Sequence, residues 1–165
     1  MRILGIDPGT ALTGYAIVDT IGSQLIVRDL GCITTAKHTP QAEKLVEISE
    51  SLNELITMWS PQEIAIEKLF FAKNVTTAVT VAQARGVVLH EVQKRGLTHQ
   101  EYTPKEIKLA VCGSGSADKK AVQKMVQLIC NLKTMPQIDD AADAIAVAIC
   151  HAQQAPLRKL AQTLA

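Results

Sequence analysis

The sequence of 165 residues predicts a mixed α/β fold in which helices cover a five-stranded sheet. Its first 34 residues contain three short strand-like segments separated by turn residues, which is typical of an antiparallel meander. Apolar residues then recur at helical spacing over residues 41–59. Beyond them, short apolar runs alternate with helical stretches, which favours strands joined by right-handed helical crossovers.

Turn residues mark the limits of the predicted strands. Pro8-Gly9 separates the first strand from the second, and Gly22-Ser23 separates the second from the third. We expect a bulge near Gly31 in the third strand. The five predicted strands cover residues 2–6, 14–18, 25–34, 64–67 and 98–102.

The first two predicted helices cover residues 41–59 and 74–95. Ser60-Pro61 ends the first of them. The second carries Ala78, Ala82 and Gly86 at four-residue steps, and a stripe of small residues permits close approach to the sheet or to another subunit.

Three more helices follow in the second half of the chain. Pro104 suits the first turn of a short helix that continues to residue 111. After a flexible loop at residues 113–116, Ser116 is a suitable N-cap for a helix that runs to about residue 132. The last predicted helix runs from Asp139 to about Gln153.

Length and composition predict one domain over residues 1–155, with a mobile tail over residues 156–165. Apolar residues make up 47 % and charged residues 20 %, which argues against disorder and collagen-like repeats. No apolar run approaches the ~20 residues of a membrane span. The opening MRILGID is strand-like and unlike a signal peptide, so we expect a cytoplasmic protein.

Cysteine and histidine spacing excludes the common metal motifs. The four cysteines are widely separated and contain no C-x-x-C pair, so neither a zinc ribbon nor a redox motif is predicted. The four histidines complete no such cluster. We expect reduced thiols that are buried or incidental.

Charge is unevenly distributed along the chain. Residues 1–67 carry a net charge of −5, and residues 68–165 carry +6. The most basic stretch, residues 105–133, contains six lysines and only two acids. Such a cluster can hold a phosphate backbone, although a solvated helix face is the commoner explanation of a lysine-rich segment.

Four carboxylates occupy positions where ligands bind in α/β proteins. Asp7 follows the first strand and Glu67 ends the fourth, so they converge if these strands are parallel neighbours. Asp140 and Asp143 share one face at the start of the last helix, and Asp139 is expected to point elsewhere. The gathered acids would suit two divalent cations for phosphodiester hydrolysis, whereas helix capping and unrelated structural roles remain the alternative.

These residues belong to motifs that resemble the RuvC family of bacterial Holliday junction resolvases. In this order and spacing the motifs extend from residue 2 to about residue 151. They are Ile3-Leu4-Gly5-Ile6-Asp7-Pro8-Gly9, Thr13-Gly14-Tyr15, Ala65-Ile66-Glu67 with Phe70, Ala72-Lys73-Asn74, Gln83-Ala84-Arg85-Gly86-Val87, Gly115-Ser116-Ala117-Asp118-Lys119 and Asp140-Ala141-Ala142-Asp143-Ala144.

The resemblance implies a ribonuclease-H-like fold and a homodimer that resolves four-way DNA junctions by paired symmetric nicks in recombination and repair. It implies that Asp7, Glu67, Asp140 and Asp143 are catalytic and hold two Mg²⁺ ions, for which Mn²⁺ is a plausible substitute. The expected products are a 5′-phosphate and a 3′-hydroxyl. The implied partner is a branch-migration motor of the RuvA and RuvB type.

The resemblance also implies roles for residues outside the carboxylates. Lys119 is expected to stabilise negative charge in the transition state, and Lys108 and Lys120 are expected to contact DNA. Phe70 would stack on an unpaired base near the crossover, although core packing of Phe70-Phe71 is the alternative.

Two positions depart from the expected pattern. Asp139 adds a carboxylate before the usual pair, and Lys68 puts a cation beside Glu67, although strand alternation should send Lys68 to the other face. Three other functions remain open. They are a phosphotransferase of the actin–hexokinase superfamily, a junction-binding module without catalysis, and a nuclease for another branched or RNA-containing substrate.

Overall fold

The computed structural model describes residues 1–68, 75–134, 136 and 138–163. Within these ranges the chain forms five strands and five helices in the order β-β-β-α-β-α-β-α-α-α. The strands are β1 (Arg2–Asp7), β2 (Leu12–Ile21), β3 (Gln24–Thr34), β4 (Glu63–Glu67) and β5 (His99–Tyr102). The helices are α1 (Gln41–Trp59), α2 (Val75–Lys94), α3 (Pro104–Cys112), α4 (Lys119–Ile129) and α5 (Asp139–Thr163).

The strands form one mixed sheet in the order β3-β2-β1-β4-β5. The first three strands pair antiparallel, and β4 pairs parallel with both β1 and β5. The predicted meander and the predicted mixed sheet are therefore confirmed. Because β1 and β4 are parallel neighbours, their carboxyl ends meet at one edge of the sheet.

Helices cover both faces of the sheet, as the sequence predicted. Strand alternation sends Leu4 and Ile6 of β1 to one face, where they pack with α1 and α2. Ile3 of the same strand packs on the opposite face against α5, the helix that follows most of that face. The residues of α5 from Ala144 to Cys150 are all buried, so this helix lies in the core.

Two glycines allow α5 to lie very close to the sheet. A Cβ at Gly5 on β1 would come within 2.3 Å of the Ala144 carbonyl oxygen. A Cβ at Gly14 on β2 would come within 2.1 Å of the Asp140 carbonyl oxygen. Any larger side chain would push away the start of α5, so both glycines set the position of Asp140 and Asp143.

Several element limits differ from the sequence predictions. The bulge between β2 and β3 lies where Ile17 pairs with Asp29 and Val18 pairs with Val27, so the extra residue is Arg28 rather than a residue near Gly31. The cap of α4 is Asp118 rather than Ser116, because the Asp118 carboxylate accepts a 2.8 Å hydrogen bond from the Ala121 N–H.

The last helix does not end near Gln153. It continues through Pro156 to Thr163, and Ala155 is buried beside the proline. Arg158 lies over the Tyr102 ring at 5.1 Å and donates a hydrogen bond to Gln100. These contacts with β5 support a helix that sequence propensity alone would end at the proline. The mobility of the tail stays a prediction.

No described helix is both long and apolar enough to cross a membrane.

Candidate active site

Four carboxylates lie together at the edge of the sheet where β1 and β4 end. Asp7 is the last residue of β1 and Glu67 is the last residue of β4. Asp140 and Asp143 lie in the first turns of α5. One oxygen from each of Asp7, Asp140 and Asp143 lies within 4.8 Å of the other two. Glu67 lies close enough to this group for its negative charge to raise the pKa of Asp7.

The carboxylates repel one another in a largely buried place. Burial raises the pKa of Asp7 to about 8, and the negative charges of Glu67, Asp143 and Asp140 add to the rise. Burial likewise raises the pKa of Glu67 to about 7, and the charge of Asp143 adds to it, while Lys108 and Lys119 oppose it. The acids of this edge therefore lack the positive charge that would keep all of them ionised at neutral pH.

This edge fits a hard divalent cation. Carboxylate oxygens are the ligands that Mg²⁺ and Mn²⁺ prefer, and three of them already lie within reach of one ion. The raised pKa values of Asp7 and Glu67 mark a place where a cation would remove an existing repulsion.

Two lysines border the carboxylates on the side of α3 and α4. Lys108 and Lys119 line a cavity of about 230 Å³ together with Glu67 and Asp143. The Lys119 ammonium nitrogen lies 3.1 Å from an Asp139 oxygen and 3.3 Å from an Asp143 oxygen. Lys120 follows Lys119 in the first turn of α4 and is exposed.

The prediction that Asp139 points away from the site is wrong. Its carboxylate pairs with Lys119 and accepts a 2.9 Å hydrogen bond from the Gln123 side-chain amide. Both partners belong to α4, and helical spacing alone gives no information about a neighbouring helix. Asp139 therefore connects the start of α5 to the start of α4 at the rim of the carboxylate group.

A second cavity, of about 190 Å³, lies on the other side of Glu67 and also borders Asp7. Lys68, the residue after the end of β4, also lines this cavity, and the direction of its side chain stays a prediction. Arg85 of α2 lines the same cavity and pairs with Glu101. Arg85 lies in one of the motifs that resemble the RuvC family, but its position in the sequence predicts no role for it. Phe70 lies outside the described residues.

The sequence matches the model of the family described as crossover junction endodeoxyribonuclease RuvC over residues 3–151. A RuvC from Chloroflexus aggregans is 49 % identical over 156 residues, which cover 94 % of this chain and 95 % of that one. The chain belongs to the RuvC family.

Solved structures of family members give the same result for the fold. The structure of Thermus thermophilus RuvC matches with a TM-score of 0.88 at 31 % identity, covering 95 % of this chain and 96 % of that one. The same protein in complex with a Holliday junction substrate matches with a TM-score of 0.90 at 30 % identity, with the same shares of both chains covered. The ribonuclease-H-like fold expected from the sequence is thereby confirmed.

Proposed function

We propose that this chain is an endonuclease that resolves four-way DNA junctions by paired symmetric nicks. The observation that carries the proposal is the convergence of Asp7, Glu67, Asp140 and Asp143 at the carboxyl edge of the sheet. Family membership supports the substrate, since a RuvC at 30 % identity has been solved with a Holliday junction. In bacteria such an enzyme would act in the cytoplasm, during recombination and repair.

In this proposal the four carboxylates hold Mg²⁺, two ions per site, with Mn²⁺ as a substitute. Bound divalent cations supply a water of lowered pKa and stabilise the charge on the departing oxygen. Hydrolysis adds a water oxygen to phosphorus and breaks the bond to the 3′-oxygen, which leaves a 5′-phosphate and a 3′-hydroxyl. The carboxylates of this chain fix where that phosphate can lie.

The lysines complete the proposed site. Lys119 reaches the rim from α4 and would offset the negative charge that develops on the phosphate. Lys108 borders the same cavity, and Lys120 lies exposed beside Lys119, so both are suited to contact the DNA backbone. Phe70 is proposed to stack on an unpaired base at the crossover.

A two-fold symmetric dimer would present two such sites to one junction. We place its interface on α2. Gly86 is exposed, and among the described residues a Cβ there would meet no atom within 4 Å outside its own stretch of helix, so packing within this part of the chain does not explain the small residue. The residues of α2 that pack in the core are instead Ala84, Val88 and Val92. A motor of the RuvA and RuvB type is the proposed partner of the dimer on the junction.

Cleavage of a labelled synthetic four-way junction in Mg²⁺ tests the function, with linear duplex and an RNA–DNA hybrid as parallel substrates. We expect paired nicks in the junction alone and none from Asp7→Asn. Junction binding without cleavage by the unaltered protein would indicate a binding module. Cleavage of the hybrid alone would indicate a ribonuclease.

A further inference from the structure

The ends of β4 and α5 that lie away from the carboxylates carry two further polar side chains, Glu63 and His151, and the side chain of Tyr102 reaches them from β5. Glu63 begins β4, which Glu67 ends, and His151 lies eight residues after Asp143 on α5. Tyr102 ends β5 and pairs with Glu67 across the two strands. None of these three side chains takes part in the proposed hydrolysis.

Glu63, His151 and Tyr102 form a continuous hydrogen-bonded chain, here called the relay. The Tyr102 hydroxyl lies 2.9 Å from His151 Nδ1, and His151 Nε2 lies 2.5 Å from a Glu63 carboxylate oxygen. One tautomer of a neutral imidazole satisfies both contacts, with Nε2–H donating to Glu63 and Nδ1 accepting from the Tyr102 hydroxyl. Burial raises the pKa of Tyr102 to about 12, so the phenol keeps the proton that it donates.

The relay has the order of a catalytic triad but not the access. A carboxylate, an imidazole and a hydroxyl follow one another as they do in serine hydrolases. However, Tyr102 has no exposed surface and His151 is only 2 % exposed. No substrate can therefore reach the Tyr102 oxygen, although Glu63 and His151 border a cavity of about 160 Å³.

The position of the relay on β4 and α5 allows it to affect the distance between Asp143 and Glu67. From Glu63 to Glu67, β4 rises about 13 Å. From Asp143 to His151, α5 rises about 12 Å in the opposite direction. The two elements therefore meet in register at both ends. A shift of α5 along β4 that broke the contact of His151 with Glu63 would move Asp143 by the same amount relative to Glu67.

Gly5 and Gly14 set how closely α5 approaches β1 and β2, but the apolar contact of α5 with β4 fixes the register along β4 less well than the relay does. Between Asp143 and His151 the helix presents small or apolar buried residues, among them Ala144, Ala146 and Ala148. Apolar contacts resist separation of the helix from the sheet, but they depend little on direction. Hydrogen bonds between buried groups are directional and cost much when they are broken, so they specify one arrangement.

Tyr102 also connects the relay to the strand that carries Glu67. Its carbonyl oxygen accepts a 2.7 Å hydrogen bond from the N–H of Lys68, the residue after Glu67. The relay thus connects β4, β5 and α5, and two of these elements carry proposed cation ligands.

We propose that Glu63, His151 and Tyr102 are positioning residues that set α5 in register on β4 and thereby hold Asp143 at the distance from Glu67 that a divalent cation needs. This proposal rests on the proposed function, because it gives the relay a purpose at the carboxylate edge. It assigns no chemical step to the three residues.

The test compares Tyr102→Phe with Ile149→Val. Tyr102→Phe removes one buried hydrogen bond of the relay and keeps the ring. Ile149→Val removes one buried methyl group from α5, the helix that carries His151. Both changes destabilise folded proteins to a similar extent. For each variant we would measure the melting temperature in chelator, the Mg²⁺ concentration that gives half of the cation-induced rise in melting temperature, and junction cleavage.

We expect both variants to melt a few degrees lower than the unaltered protein in chelator. Only Tyr102→Phe should raise the half-saturating Mg²⁺ concentration, by about tenfold, at the lower end of what groups that orient ligands contribute. Cleavage should fall with it, while junction binding in chelator stays unchanged. Glu63→Gln, which keeps a hydrogen-bond acceptor, should fall between the unaltered protein and Glu63→Ala.

Equal Mg²⁺ responses of Tyr102→Phe and Ile149→Val would overturn the proposal and leave the relay as ordinary core packing. If the unaltered protein showed neither a Mg²⁺-induced rise nor junction cleavage, the proposed function itself would fail, and this proposal with it. The response of the unaltered protein therefore separates the two failures.

Discussion

The pair formed by β4 and α5 has titratable groups at both ends. Like charges repel one another at one end, whereas hydrogen bonds join the groups at the other. At the charged end, formed by Asp7, Glu67, Asp140 and Asp143, burial and neighbouring negative charges raise the pKa of Asp7 and that of Glu67. At the relay end, the half-buried carboxylate of Glu63 contacts the His151 imidazole, which in turn contacts the Tyr102 hydroxyl.

The comparison shows how one helix can hold a destabilising site. Repulsion among the acids would push the start of α5 away from β1 and β4 when no cation is bound. The relay opposes that movement from the far end of the same helix, and Gly5 and Gly14 permit the close approach that the site needs. The charged end of the contact between α5 and β4 thus carries the proposed function, and the relay end stabilises the position of α5.

The largest effect should come from neutralising a ligand at the charged end. Asp7→Asn should lower junction cleavage by at least about 10³-fold, since bound metal ions contribute several kcal/mol of charge stabilisation. Gel assays of a labelled junction measure the loss. The control is Glu47→Gln on α1, which likewise neutralises one acid but at an exposed position, and which should cleave normally. Cleavage by Asp7→Asn within tenfold of the unaltered protein would remove Asp7 from the ligand set.

The next largest effect should come from Lys119, whose ammonium group lies at the rim of the carboxylate group. Lys119→Ala should lower the cleavage rate by about 10²-fold, as the loss of one fixed group that stabilises developing charge usually does. Single-turnover kinetics with saturating enzyme measure this rate separately from binding. Lys124→Ala removes an equal charge from an exposed position of α4 and should weaken junction binding without changing the rate. Equal rates for the two variants would mean that Lys119 only attracts the DNA backbone.

Much of the charged end could be predicted before the structure, whereas the relay end could not. Short apolar runs show where β1 and β4 end, so Asp7 and Glu67 could be assigned to one edge once the strands were assumed parallel. Glu63 and His151 are 88 residues apart, and no spacing rule connects them. His151 could be interpreted only as one of four histidines without a metal motif, because its partners depend on how α5 lies on the sheet.

Two local errors have the same origin. The geometry of its own helix predicts that Asp139 points away from the site, but its partners Lys119 and Gln123 lie on α4. The sequence predicts that the last helix ends before Pro156, but contacts of Arg158 with β5 support further turns. In both places tertiary contacts outweigh a local rule.

A smaller effect is a pH dependence of stability in the absence of cations. In the folded protein the pKa of Asp7 is raised to about 8 and that of Glu67 to about 7, above the values of about 4 in an unfolded chain. Between these limits the folded state binds more protons than the unfolded state. Their contribution to stability is therefore complete below about pH 4 and is lost as the pH rises through 7 and 8.

We accordingly expect the melting temperature in chelator to fall by several degrees between pH 5 and pH 9, within the range set by these pKa values. Asp7→Asn should flatten the slope, and saturating Mg²⁺ at the upper end of the range should restore stability to the unaltered protein. Scanning calorimetry across this range is the measurement. A melting temperature that rises over the same interval would show that the pKa values of Asp7 and Glu67 are not raised in the folded protein.

The smallest effect should come from Asp139, which belongs to the rim and not to the buried group. Its carboxylate gives Lys119 a partner 3.1 Å away, besides Asp143 at 3.3 Å. Without that partner the ammonium would pair more often with Asp143, and it would compete there with a cation. Because Asp139 and Lys119 are both at least half exposed, the ion pair contributes about 1 kcal/mol or less, so Asp139→Asn should raise the half-saturating Mg²⁺ concentration by no more than about fivefold.

Salt separates this effect from a change in the fold. An exposed ion pair is screened at high ionic strength, so the difference between Asp139→Asn and the unaltered protein should vanish there, while their melting temperatures agree at every salt concentration. Gln123→Leu, which removes the other partner of Asp139 but no charge, should show no such salt dependence. A difference for Asp139→Asn that persists in high salt would instead make Asp139 a direct cation ligand and would extend the charged end by one residue.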